Sequence, residues 1–164
     1  MSIDNEQVKS LISSVLLDLD EETEGKIPLV PEAVDLLMMT AAHESKLGTY
    51  IKQVYGPALG IFQMEPATHT DHWIYIRDRK WLREAFENLG FIYPTYWEME
   101  WNIKYAILMA RVHYYRKPER LPNMSRSNYL EALSRYAKEH YNTSVGKATP
   151  EKYLEDYHTY CILS

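Results

Sequence analysis

Glu44 is the side chain whose position in the sequence most favours acid–base chemistry. A regular helix through Leu37, Ala41 and Glu44 carries all three on one stripe, because positions three, four and seven apart share a helical face. The carboxyl group therefore points toward the interior that Leu37 and Ala41 help to build. Burial penalises its charged form, and a place in the last helical turn adds repulsion from the negative helix end, so two effects push its pKa upward. A carboxyl group that keeps its proton near neutrality suits a general acid. Gln63 sits in the otherwise apolar run Ala58-Leu59-Gly60-Ile61-Phe62-Gln63-Met64, where an amide needs a hydrogen-bonding partner, so it is a candidate for holding a polar ligand. The grouping His69-Thr70-Asp71-His72 has metal-binding residue types, but its spacing is no known zinc pattern. His43-Glu44 also lacks the second histidine of a helical His-Glu-x-x-His. No metal and no cofactor is expected.

The elements that must position these groups follow from periodicity. Val8, Leu11, Ile12, Val15, Leu16 and Leu19 predict an amphipathic helix over residues 4–18, ended by the acidic run at 18–24. That run, with Gly25, Pro28 and Pro31, reads as a solvated turn and is the best candidate linker. Pro31 then opens a second helix whose buried face is Val34, Leu37, Met38, Ala41 and Ala42, running to Ser45 or Leu47 with Gly48 as its stop. Residues 49–65 read as a small irregular β-hairpin region, from the strand-like Tyr50, Ile51, Val54 and Tyr55 and the Gly56-Pro57 turn. Helical spacing resumes after His72, with one helix closing at Gly90. Another starts near Tyr96 and carries Trp101, Tyr105, Leu108, Val112 and Tyr115 on one face. Ser127 caps a helix with the face Tyr129, Leu130, Leu133, Tyr136, Ala137 and His140, and Thr149-Pro150 opens the last one. The sum is a mostly α-helical α+β chain, a single domain over 1–164.

With these residues in place, the chain resembles the soluble lytic transglycosylase family of the lysozyme-like superfamily. The resemblance lies in Ala41-Ala42-His43-Glu44-Ser45, like the family's helix ending in Glu-Ser, followed by residues 58–68, like its Gly-Leu-Met-Gln-Ile-x-Pro-x-Thr run. Asn102-Ile103 is similar to the Asn-Ile that opens a family helix. Tyr141-Asn142 with Gly146, Thr149 and Tyr153 looks like the family's Tyr-Asn-Ala-Gly-x-Gly segment and the helix after it, with Thr143-Ser144 in place of the small pair. The likeness covers residues 31–68 closely and 95–158 loosely. It leaves out residues 1–27, which read as an N-terminal helical extension, and residues 69–94.

The resemblance implies a lysozyme-like fold and cleavage of peptidoglycan between N-acetylmuramic acid and N-acetylglucosamine. Glu44 would first protonate the glycosidic oxygen, then take the proton from the sugar's own 6-hydroxyl, leaving a 1,6-anhydro end. It also implies substrate-binding roles for Ser45, Phe62, which stands where the family usually has Met, and Gln63. A tyrosine belongs at the cleavage point, and both Tyr136, in Ala132-Leu133-Ser134-Arg135-Tyr136, and Tyr141 fit that part of the motif. The alternative is hydrolysis in the manner of a goose-type lysozyme, which asks for a second carboxylate to activate water. Glu65 and Asp71 are the candidates. A wall-binding or virion component without activity is a third reading, against which the retained Glu44 speaks.

Composition narrows the partners. A formal net charge of -5 argues against a sequence-independent grip on nucleic acid, which needs a basic surface. One cysteine, Cys161, excludes an internal disulfide and a cysteine-based metal cluster. The longest apolar run, residues 105–110 with neighbours, is too short for a membrane span, and the first 22 residues lack a basic n-region and a clean apolar stretch, so they do not read as a secretory signal. Synthesis in the cytoplasm, followed by release through membrane lesions made by a phage or by delivery on a phage particle, is the expected route to the wall.

Overall fold

The computed structural model describes residues 3–142 and 146–163; the expected Thr143-Ser144 substitution lies outside the described residues. Two helices buried along most of their length form the centre. One is α2 (Pro31–Ser45), with residues 33–42 all buried, and the other is α6 (Ile103–Tyr115), buried from Tyr105 to Tyr114. A helix apolar on every side must be surrounded, and the remaining helices do this. They are α1 (Asn5–Glu22), α3 (Pro66–Arg77), α4 (Lys80–Asn88), the single turn α5 (Glu98–Trp101), α7 (Tyr129–Tyr141) and α8 (Pro150–Tyr157), which runs into a wider π-type turn over His158–Ile162. α8 packs against α2 and α7, and α1 against α6 and α2. The mostly helical expectation holds. No helix of the described residues is long and apolar enough to cross a membrane.

Local chemistry explains where the helices stop. α1 begins at Asp4, whose side chain accepts from the Gln7 amide, and buries Val8, Ile12, Val15, Leu16 and Leu19. It does not end at the acidic run: Asp18, Asp20, Glu21 and Glu22 all lie within it, because acids spaced around the outer face leave the buried stripe intact. The stop comes from Thr23, whose hydroxyl donates to the Leu19 carbonyl at 2.7 Å and accepts from the Ile27 amide at 3.1 Å. The expected linker is likewise tied down, since the Asp20 carboxylate accepts from the Leu29 amide at 2.7 Å. α6 starts at Asn102, which accepts from the Tyr105 amide, and α8 at Thr149, which accepts from the Lys152 amide, with Pro150 in its first turn. Asn128, rather than Ser127, holds the position before α7, without a side-chain bond to the helix.

Three expectations are corrected. Residues 49–65 form no β-hairpin: among the described residues there are only isolated antiparallel bridges, Lys52 with Leu59 and Leu59 with Met64. Tyr50, Ile51, Val54 and Tyr55 read as strand by residue type, yet all four are exposed, so no buried face exists to make them pair. Helix α3 begins at Pro66 rather than after His72, and the stretch to Gly90 is two helices, broken at Asp78 and Arg79. The helix expected from Tyr96 is also two pieces, because Asn102 is extended and restarts the chain as α6. Trp101 thus leaves the expected face and is 68% exposed.

Candidate active site

The last turn of α2 delivers Glu44 to a cavity of about 280 Å³. The chain turns away at once: Lys46, Leu47 and Gly48 all adopt positive φ, and the Lys46 and Leu47 amides return to the Ala42 and Ala41 carbonyls. Ser45 completes this end. Its buried hydroxyl donates to the Ala41 carbonyl at 3.0 Å and accepts from the Gly48 amide at 2.8 Å, so both of its bonding roles are used.

Two side chains from distant segments hold the Glu44 carboxyl group. The Tyr153 hydroxyl, on α8, donates to Oε1 at 3.1 Å, and Asn142 Nδ2, just past α7, lies 3.3 Å from the same oxygen and also donates to the Tyr153 hydroxyl. Among the described residues nothing donates to Oε2, and no cation lies within ion-pairing distance of the carboxyl. Burial raises the Glu44 pKa from 4.5 to about 7, and the bonds from Tyr153 and Asn142 pull it down by less. The sequence argument anticipated the direction and the burial; the helix end does not figure among the causes. Tyr153 is itself placed by His43, whose ring stacks on it with centroids 3.8 Å apart. Burial lowers the His43 pKa, and the neutral ring donates from Nδ1 to Asp156 Oδ2 at 2.8 Å.

The opposite wall comes from α6 and α7. The His113 ring edge is fixed by a chain of hydrogen bonds whose ends determine its direction. The His140 carbonyl can only accept, so His113 Nε2 donates to it at 2.6 Å; Arg116 can only donate, so His72 Nδ1 accepts from it at 2.7 Å. His72 Nε2 must then donate to His113 Nδ1, 2.8 Å away. Both rings are neutral in this arrangement, and burial first of all lowers His72 to about 2 and His113 to about 4. With both nitrogens engaged, His113 offers the cavity a surface and no free acid or base. Tyr141 packs on that ring, and its hydroxyl donates to the Phe62 carbonyl.

The third wall is the loop between α2 and α3. Gly60 to Gln63 turns tightly between the paired Leu59 and Met64, with Gln63 at φ 46 and its Nε2 donating to the Gly60 carbonyl at 2.8 Å. The Tyr96 hydroxyl binds the Pro57 carbonyl and that of Met64, pinning both ends of the loop. Gln53, Glu65 and Thr68 complete the lining.

Of the residues singled out from sequence, Glu44, Gln63 and Tyr141 meet at the cavity. Ser45, Phe62 and Tyr136 do not. Ser45 is consumed by the helix end, Phe62 is fully buried and reaches the site only through its carbonyl, and the Tyr136 hydroxyl donates to the Glu119 carbonyl at 2.9 Å. Of the two tyrosines in question, Tyr141 is the one at the site. Of the two candidate second carboxylates, Glu65 lines the cavity, whereas Asp71 is paired with Arg116 at 2.6 Å. His69 and His72 do not converge on an ion position: His69 bonds to the Tyr105 hydroxyl at 2.5 Å, while His72 bonds to His113. Asn142 and Tyr153 were visible as motif letters without a role. Thr68 was likewise visible only as a motif letter, and Gln53 and His113 carried no sequence signal, because only the meeting of α3, α6 and the loop gives them one. No family model, no curated protein and no solved structure matches this chain.

Proposed function

We propose that this protein is a peptidoglycan lytic transglycosylase with a lysozyme-like arrangement of its helices, and that Glu44 is its catalytic acid and base. The observation that carries the reading is a carboxyl group raised to about 7, held at one oxygen by Tyr153 and Asn142, on the wall of a cavity. Such a group is protonated about half of the time at neutrality and can give its proton to a glycosidic oxygen. The departing proton leaves a carboxylate, which the Tyr153 hydroxyl and Asn142 amide stabilise by bonds that favour the charged form. That carboxylate then accepts the proton of the sugar's 6-hydroxyl as the hydroxyl oxygen bonds to the anomeric carbon. One carboxyl group serves both steps, and the glycan's linkage is exchanged for an internal one without water.

Tyr141 and Gln63 support the same reading as groups that border the bound sugar. Hydrolysis is the second reading, and Glu65 favours it specifically, because it is the other carboxylate on the cavity wall. Mass spectrometry of digested peptidoglycan separates the two. The expected products end in 1,6-anhydro sugars; reducing ends would assign hydrolysis, and Glu65→Gln would then abolish it. Glu44→Gln, which keeps shape and removes the acid, is expected to lower wall clearing at least a thousandfold, and clearing at the parental rate would overturn the assignment. The proposed route to the wall is release at phage lysis or carriage on a phage particle, and detection of the chain in purified particles distinguishes the second.

A further inference from the structure

A second cavity, of about 400 Å³, adjoins the first, and Thr68 and His113 line both. Its chemistry is different. Arg116 and Lys117, just past the end of α6, line it together with Asp71 of α3. The Arg116 guanidinium is held rigidly: Nη1 meets Asp71 Oδ2 at 2.6 Å and His72 Nδ1 at 2.7 Å. It also lies over the Tyr75 ring, 4.7 Å from the centroid, and Arg79 lies 3.5 Å from the centroid of that same ring. Among the described residues no ion pair engages Lys117. Asp71 thus offsets one of the two positive charges in the lining, and His72 and His113 add none because both are neutral. The cavity is locally positive in a chain whose formal net charge is -5.

We infer that this second cavity is an anion subsite, taking a carboxylate or phosphate group borne as a branch on the polymer whose backbone lies against Glu44. The inference rests on reading the first cavity as a glycan site. Two observations specify the occupant. The wall shared at Thr68 and His113 makes the second cavity the immediate neighbour of the reacting linkage, so a substituent on an adjoining sugar reaches it. A planar guanidinium fixed by an aromatic ring and a histidine, with the Lys117 ammonium in the same lining, is a fitting pair for an oxyanion. Wall glycans carry such groups as acidic peptide branches and as phosphodiester polymers.

Binding of the Glu44→Gln protein to purified wall, which it does not consume, tests this. Three preparations are compared by sedimentation: intact wall, wall stripped of peptide by an amidase, and wall stripped of phosphodiester polymers by hydrofluoric acid. Adding Lys117→Gln, which removes an unpaired charge and leaves the Arg116 network standing, is expected to weaken binding to intact wall about tenfold and to flatten its salt dependence. The parental Glu44→Gln protein should weaken equally on one stripped preparation, and on that one Lys117→Gln should have no further effect. Loss with the amidase, which removes the peptide and leaves a lactyl carboxylate on the sugar, identifies a carboxylate of the peptide branch, and loss with hydrofluoric acid identifies a phosphate. Equal binding of both proteins to all three preparations, with matched melting temperatures, would overturn the inference. Cleavage by the protein with native Glu44, read on the same preparations, reports separately: charge-dependent binding without cleavage leaves the anion subsite standing and removes the glycan-cleaving assignment.

Discussion

The working range of the proposed enzyme is set by opposing influences on one carboxyl group. Burial raises Glu44 and the bonds from Tyr153 and Asn142 lower it, with a balance at about 7. Because the acid form starts the reaction, kcat/KM is expected to stay level below that pH and to fall about tenfold per pH unit above it. Tyr153→Phe keeps the ring stacked on His43 but deletes the donor that favours the carboxylate. Its descending limb should move toward higher pH by about one unit, corresponding to a hydrogen bond of about 1.4 kcal/mol; a limb that stays put or moves down would show that Tyr153 does not act on the proton. This residue-scale device was half legible in the sequence. The apolar stripe through Leu37 and Ala41 exposes Glu44 as out of place, and an amide in an apolar run does the same for Gln63. Nothing local distinguishes Tyr153 from the 13 other tyrosines, since its role depends on which faces of α2 and α8 meet. Ser45 shows the reverse error: a hydroxyl beside the acid is a plausible ligand group until its two bonds to the helix end are counted.

At the scale of elements, the loop between α2 and α3 depends on one glycine. Gly60 sits at φ 79, and a Cβ there would collide with the backbone carbonyl oxygen of Met99. Gly60→Ala is therefore expected to destabilise the protein by about 3 kcal/mol, combining a strained backbone with a contact that no side-chain rotation relieves. Thermal melting measures it, and an unchanged melting temperature would mean the loop closes in some other way. The helices were legible because periodicity reports burial directly, and Thr149-Pro150 marked a start through a hydrogen bond made within three residues. The 49–65 segment was not. Its β-branched and aromatic residues satisfy strand preferences, but a strand needs a partner and a buried face, and these residues point outward. The break at Asn102 escaped for a related reason: Trp101 continues the helical spacing of Tyr105 and Leu108, and spacing alone cannot see that a cap restarts the helix.

The whole molecule treats α1 as an integral part, although residues 1–27 read in the sequence as an N-terminal extension. Its five buried aliphatic side chains lie against α6 and α2. Burying them contributes roughly 10 kcal/mol as an upper bound, comparable with the net stability of an ordinary domain. Deletion of residues 1–27 is expected to leave a chain with no cooperative thermal transition, whereas a sharp melt from the shortened protein would make α1 an appendage after all. Composition had suggested one domain and set no rank among its parts; the packing supplies that rank. Glu44 finds its two holders, Asn142 and Tyr153, at 98 and 109 positions further along the chain. Ribosomes deliver a protein in order, so a copy still being translated owns its proton donor long before anything grips it. The carboxyl group therefore meets its full set of hydrogen-bonding partners only after α8 has emerged and docked.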